Sequence, residues 1–176
     1  MKKPQSEPFS IEQTCDAYAA EIAAVVEAAF RAEYGSGDGE VAIVAALRAD
    51  GAVVAEFIAL EGGAVVGHAM FSRMTTEPEG YQIVALGPVC ACVDRQKSGI
   101  GSALICAGLN ICRTQGVGAV IVLGDPRYYG RFGFRAALVE GIANAYAGPH
   151  LQAIELVPDA LAGVRAVAYA PAFSAV

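Results

Sequence analysis

The residues best suited to chemistry lie in the stretch Leu86 to Leu104, LGPVCACVDRQKSGIGSAL, where an apolar run gives way to a polar turn and a glycine pair. Gly99 and Gly101 open a segment in which Ile100, Leu104, Ala107, Gly108 and Ile111 recur at helical spacing, and Gly116 follows as a stop signal. The order is strand, glycine-rich turn, helix. Such a helix start gathers backbone N–H groups without intrahelical partners at the positive end of the helix dipole. Glycines leave those donors uncovered, and the ligand expected is a phosphate or pyrophosphate. A P-loop needs Gly-Lys followed by Ser or Thr, a triplet the chain lacks. A dinucleotide fingerprint needs a third glycine where Leu104 stands.

A second concentration of functional residue types is Gly124-Asp125-Pro126-Arg127-Tyr128-Tyr129-Gly130-Arg131-Phe132-Gly133-Phe134. Proline after Asp125 suits the first turn of a helix, with Asp125 as its cap. Cys90 raises the question of a covalent nucleophile, which would need an activating base. His68 and His150 are the two histidines, and neither forms a recognisable Cys-His arrangement. His68, inside an apolar strand between Gly67 and Ala69, reads as a hydrogen-bonded structural residue. Glu77 and Glu79 precede the central strand and read either as solvated charges or as a source of a general base.

These residues need a scaffold, and 176 residues suffice for one domain with a substantial core. Hydrophobic residues make up 55%, so a packed globule is expected rather than disorder. The net charge of −6 and the lack of a basic block argue against nucleic acid as a partner. The start MKKPQSEPFS lacks the apolar core of a secretory signal, and no membrane-length apolar run follows. Cys15, Cys90, Cys92, Cys106 and Cys112 are an odd number without metal-ligand spacing. The expectation is buried free thiols in a reducing cytoplasm.

In chain order, the pattern predicts a strand at Phe9 to Gln13, then a helix capped by Thr14 or Asp16, with Ile22, Val25, Val26, Ala29 and Phe30 as its apolar stripe. The glycine-rich loop Tyr34 to Gly39 precedes a second helix with Val41, Val44 and Leu47 inward, ending at Asp50-Gly51. Strands Val53 to Leu60 and Ala64 to Ser72 form a hairpin about Glu61-Gly62-Gly63. Arg73 to Gly80 reads as a polar connector and Tyr81 to Val93 as the central strand. Pro88 cannot donate to a ladder, so that strand should bulge or splay there, or else lie at an edge. Ala119 to Leu123 is a short apolar strand fit for a sheet interior. Leu151 to Val157 and Val164 to Ala170 read as a final hairpin-like pair.

Gln96-Lys97-Ser98-Gly99-Ile100-Gly101 resembles the Q-x-x-G-x-G/A pyrophosphate loop of the GNAT superfamily of acetyl-CoA-dependent N-acetyltransferases. The run from Gly124 to Phe134 resembles the G-D/N-P-x-Y-Y-x-R-F-G-F motif of a small bacterial branch of that superfamily. Val93 and Arg95 depart from the usual proline and aromatic of that loop. The resemblance implies one α/β domain over residues 1–176, a mixed, splayed central sheet with helices on both faces. It implies acetyl-CoA as co-substrate, no metal, and transfer of the acetyl group directly to a primary amine on a small molecule or a protein. Neither nucleic acid nor membrane is an expected partner, and the protein would be a monomer or homodimer. The cofactor-binding residues it implies are Pro88, Val89, Cys90, Gln96, Lys97, Ser98, Gly99, Ile100, Gly101, Ser102, Asp125 and Tyr128. The catalytic residues it implies are Tyr129, as donor to the leaving thiolate, and Glu79 as base. The loop between the first two helices becomes a substrate-selecting element, where the residues alone allow a plain connector. A catalytically weak acyl-CoA-binding sensor or docking module is the alternative that keeps the same loop.

Overall fold

Apolar runs punctuated by glycine build a long antiparallel hairpin, β2 (Val53–Glu61) and β3 (Ala64–Arg73). Gly62 and Gly63 turn it at positive φ, a conformation that glycine adopts without steric penalty. The computed structural model describes residues 9–174, so the segment MKKPQSEP lies outside the described residues. The hairpin anchors a six-stranded sheet that also contains β1 (Ser10–Gln13), β5 (Ile83–Ala91), β6 (Ala119–Leu123) and β7 (Leu151–Glu155). Its order is β1-β2-β3-β5-β6-β7, with β5 and β6 the parallel pair. This is the mixed α/β sheet that the sequence predicts.

Two helices cover one face and one covers the other. Ile22 and Val26 of α1 (Ala19–Tyr34) and Ile43 and Leu47 of α2 (Asp38–Ala49) pack with Ile58 and Met70. Leu104, Ile105 and Leu109 of α3 (Ile100–Thr114) pack with Phe57 and Phe71 on the opposite side. Neighbouring strand residues thus serve different layers, which is why β2 and β3 are apolar nearly throughout rather than alternating. A third cluster joins β6 and β7 to Leu161, Val164 and Val167 beyond the end of the sheet.

Several expectations are corrected. Neither Thr14 nor Asp16 caps the first helix; a 3₁₀ turn at Asp16–Tyr18 intervenes and no side chain caps α1. Gly35 ends α1 in the left-handed region and α2 starts at Asp38, so the loop between them spans only residues 35–37. The connector after β3 contains a short strand, β4 (Thr75–Glu77), paired with β8 (Ala166–Ala168) in a separate two-stranded sheet. The chain's last two strands are therefore not a hairpin: β7 joins β6 and β8 joins β4. The periodicity of each strand was readable, whereas its partner depends on tertiary packing. Cys90 and Cys112 are buried, but Cys15 and Cys106 are exposed, so the thiols are free without all being interior.

α3 sits unusually close to the sheet because two glycines let it. A Cβ on Gly67 of β3 would lie 2.5 Å from Ile100 Cγ2, and one on Gly108 would lie 1.9 Å from Phe71 Cε2. Alanine at Gly108 would gain about 1 kcal/mol of helix propensity. Phe71 is fully buried, and a Cβ so deep in its ring places the overpacking cost at about 2–3 kcal/mol, which exceeds that gain. Gly108→Ala should lower Tm by roughly 2–8 °C. Calorimetry showing an unchanged or raised Tm would mean that the helix does not rest on that ring.

Candidate active site

β5 pairs with β6 only over Ile83 to Leu86, opposite Ala119 to Val122. Beyond Leu86, β5 keeps its β3 partners, with Val89 opposite Ala69 and Cys90 opposite His68. The two parallel strands part at this point and a cleft opens between them. The β3 register supplies the cause. Ala69 pairs with Val89 and Phe71 with Leu86, so two steps on β3 answer three on β5. Gly87 and Pro88 are the bulged residues, and proline brings no N–H to a ladder. Pro88 therefore marks a bulge in an interior strand, not an edge.

The start of α3 faces this opening. Ala103 N–H donates to Gly99 O as the first bond of the helix, leaving the amides of Ile100, Gly101 and Ser102 without intrahelical acceptors. Gly99 takes φ 92° and Lys97 takes φ 62°. For a lysine that conformation costs about 1 kcal/mol or more, and strain of this kind gathers where a loop must hold a fixed shape. The loop is tied back by Arg95, whose Nε donates to Glu61 Oε2 at 2.6 Å, and by the Ser98 hydroxyl, which donates to Arg95 O. Arg95 thus anchors the loop by an ion pair.

The segment after β6 builds the opposite wall. Asp125 accepts from Arg127 N–H at 2.9 Å and caps the short helix α4 (Pro126–Tyr129), as its sequence predicts. The Arg127 guanidinium also bonds the Asp125 carboxylate and holds it below the usual carboxylate range. Gly124 has a specific use, since a Cβ there would lie 2.3 Å from the Tyr129 ring. Tyr129 packs edge-on against Tyr128 at 5.0 Å and against Phe134 at 5.8 Å. Arg131 stacks 4.4 Å over the Tyr128 ring and donates to the Tyr128 carbonyl. The conspicuous Y-Y-x-R-F-G-F run is one aromatic cluster closed by a guanidinium.

The cleft has three connected parts. Lys97, Gly99, Gly101, Ser102, Arg127 and Arg131 line the first, where a Cβ on Gly101 would meet the Tyr128 hydroxyl at 2.7 Å. Val89, Cys90, Gln96, Lys97 and both tyrosines line the second, of about 590 Å³. Pro88, Val89, Asp125, Tyr128 and Tyr129 reappear in the third, of about 530 Å³. Most of the residues marked in the sequence thus meet in one place. Ser98 and Ile100 do not bring their side chains: Ser98 bonds its own loop and Ile100 is in the core against Gly67. Glu79 is not brought there at all; it is exposed in the turn after β4 and lines none of the three parts. Its neighbour Glu77 pairs with Arg165 at 3.0 Å.

Besides Asp125, which Arg127 holds, the carboxylates at the cleft are Glu33, shared by the second and third parts, and Glu40. Sequence reasoning missed both because they lie on α1 and α2, whose apolar stripes drew the attention. The signal available was a polar residue beside the glycine loop at the end of α1. Burial, then the neighbouring Tyr128, Tyr34 and Glu33, pushes the Tyr129 phenol far above its ordinary value. Among the described residues no group of three His, Cys, Asp or Glu side chains is arranged to hold a metal.

A parallel strand pair thus parts beside an uncapped helix start, leaving a cleft between β5 and β6. Residues 19–134 match the acetyltransferase (GNAT) family. The chain is 32% identical over 142 residues to the uncharacterised N-acetyltransferase YhbS of Escherichia coli K12, covering 79% of this chain and 84% of that one. Its fold matches the crystal structure of Escherichia coli YhbS in complex with CoA at TM-score 0.87, with 29% identity over 99% of this chain and 96% of that chain. A GNAT acetyltransferase from Brucella melitensis in complex with acetyl-CoA matches at TM-score 0.81, with 37% identity over 94% and 98% of the two chains. The chain belongs to the acetyltransferase (GNAT) family and is an acyltransferase of it.

The buried Cys90 has no activating partner there. Burial pushes its thiol up to about 12, which keeps it uncharged at neutral pH. His68, opposite it on β3, is fully buried and its Nε2 donates to Glu56 Oε1 at 2.7 Å. Arg48 Nε donates to Glu56 Oε2 at 3.1 Å, joining α2 to the sheet behind the cleft. His68 is thus structural, as its sequence context predicts. Desolvation opposes ionisation of Glu56, yet its bonds to His68 and Arg48 win and lower its pKa. A carboxyl lowered on folding adds stability that is complete above its ordinary value and is lost as pH falls through the folded one. Glu56→Ala leaves the partly exposed Arg48 and the buried His68 imidazole unpaired, so stability at neutral pH should fall by about 1–3 kcal/mol. Denaturant titrations should also show a flatter loss of stability below about pH 4 in the variant. An unaltered acid profile would remove Glu56 from this role.

Proposed function

We propose that this chain transfers the acetyl group of acetyl-CoA to a primary amine in the cleft between β5 and β6. The observation that carries the reading is the divergence of these strands. It leaves one continuous channel from the uncapped start of α3 to Tyr129. The amides of Ile100, Gly101 and Ser102 face the pyrophosphate, with Lys97 beside it and Gln96 shaping the loop. Val89 and Cys90 flank the pantetheine arm, and an N–H of the diverging strand stabilises the oxyanion. The CoA and acetyl-CoA complexes of the two similar enzymes support this choice of co-substrate. Five free thiols suit a reducing cytoplasm as its setting.

The amine nitrogen bonds to the thioester carbonyl carbon, the C–S bond breaks, and the nitrogen's proton leaves through water. Tyr129 donates a hydrogen bond to the departing sulfur. Its raised pKa keeps the phenol protonated across the physiological range, and it also makes full proton transfer to a thiolate, ordinarily near 8.5, uphill. Tyr129 therefore stabilises the thiolate as a donor, and the thiolate collects its proton from water. The runner-up, an acyl-CoA sensor, keeps the binding half and lacks the turnover.

Acetyl-CoA-dependent thiol release on a panel of primary amines tests both halves. Tyr129→Phe removes one oxygen and should cut kcat by roughly 10²-fold while leaving acetyl-CoA affinity intact. Tyr128→Phe should do less. With Tyr129 protonated, the wild-type rate should rise with pH as the amine deprotonates and show no phenol-dependent fall below about pH 10. Gly101→Val drives a side chain into the Tyr128 hydroxyl and the phosphate end. It should weaken acetyl-CoA by at least roughly tenfold in calorimetry, a loss of about 1.4 kcal/mol. A folded Gly101→Val protein with unchanged affinity overturns the cofactor assignment. Tight acetyl-CoA binding with no turnover on any amine identifies the sensor.

A further inference from the structure

The part of the cleft that the cofactor reading leaves open is its third lobe, between α1, α2 and the chain's end. Phe30, Tyr34, Tyr146, Tyr169 and Phe173 form its walls. Phe30 stacks on Tyr34 at 5.9 Å, Tyr146 meets Tyr169 edge-on at 5.4 Å, and Tyr169 meets Phe173 at 5.0 Å. Glu33 and Glu40 also line this lobe, and among the described residues no lysine or arginine does. Burial first, then Glu33 and Glu40, raises the phenol of the largely exposed Tyr34, which places both carboxylates near the lobe's mouth.

The Tyr169 ring lines the lobe, while its hydroxyl is shut off from solvent without a hydrogen-bond partner among the described residues, so the ring offers the lobe carbon rather than oxygen. The volume of about 530 Å³ falls in the range of small-molecule sites.

We infer that the acceptor is an arylalkylamine: an aromatic ring on a short alkyl arm ending in a primary amine, without a carboxylate. The inference rests on the acetyl-transfer reading above and names its substrate class. Aromatic walls take the ring by edge and face contacts. Glu33 and Glu40 attract the ammonium, and tyrosine faces add cation–π attraction. Glu33 borders both the second and third lobes and raises the Tyr129 phenol, so it stands where the amine meets the thioester. An amino acid would set its own carboxylate against these two, which is unfavourable.

The test separates this inference from the one beneath it. Calorimetry measures acetyl-CoA and tyramine binding separately on the wild-type protein, and thiol release then compares tyramine with butylamine, spermidine and tyrosine. Tyramine should bind, and its kcat/KM should exceed that of each competitor by at least about tenfold. Glu33→Gln combined with Glu40→Gln should raise KM for tyramine by about five- to tenfold with little change in acetyl-CoA affinity. Phenethylamine, which keeps the ring and the arm, should also exceed butylamine by at least about tenfold. Equal turnover of butylamine and tyramine, a preference for spermidine or tyrosine, or no tyramine binding overturns the arylalkylamine assignment. If tyramine binds while acetyl-CoA does not, the acetyl-transfer reading fails and the lobe's ligand class stands.

Discussion

Everything about the site depends on two parallel strands ceasing to pair. Hydrogen bonding between neighbouring strands is the default that holds a sheet closed, and its interruption in an interior position leaves backbone polar groups without partners. β5 carries the interruption because Gly87 and Pro88 are extra residues against β3. Pairing to β6 stops one residue earlier, at Leu86. β3 remains paired on the far side, so the strand is held in place while one of its edges is freed. A cleft made in this way is rigid and polar at once, which a gap between two loops would not be.

That opening is useful only if the helix beside it is fixed, and here small residues act. Gly67 and Gly108 let α3 settle against β3 and the Phe71 ring, and Ile100 is locked into the core at the first turn. The first three free amides of α3 follow directly from that seat. On the other wall, Gly124 lets the Tyr129 ring lie against the end of β6, and Tyr128 spans the gap to Gly101. Each glycine marks a contact in which a Cβ would collide. Within the two motifs this accounts for Gly101 and Gly124, whereas Gly99 and Gly133 serve by adopting positive φ.

The sheet, its helices and the anion-facing loop were legible in the sequence because they are written in local signals. Period-two and period-3.6 patterns set β2, β3 and α3, and proline after aspartate set the start of α4. The failures share a cause as well. The partner of the last strand, the small β4–β8 sheet and the remoteness of Glu79 all depend on which distant segments pack together. Glu79 lies four residues before β5 in sequence, yet the β4–β8 pairing carries the connector away from the cleft. Glu33 was invisible for the converse reason. A single carboxylate at the end of an amphipathic helix looks like ordinary surface until the fold turns that end toward the tyrosines.

The cleft's charges are sorted along its length, and this bears on how an acidic protein can bind a polyanionic co-substrate at all. The chain carries −6 overall, which by itself repels phosphates. Lys97, Arg127 and Arg131 nonetheless gather at the α3 end, and the one carboxylate among them, Asp125, is already bonded by Arg127. Glu33 and Glu40 lie in the other lobe, with the apolar and aromatic side chains Val89, Cys90, Tyr128 and Tyr129 along the middle. Charges separated by more than about 10 Å of salt solution are largely screened. The stretch between them carries no charge of its own, so the potential at each end is set by the nearest groups. An anion drawn to one end and a cation drawn to the other would then meet at the uncharged centre, beside the Tyr129 hydroxyl. For the proposed transfer the carboxylates gather the amine as its ammonium, and the nitrogen attacks the thioester only once it has given up its proton to water.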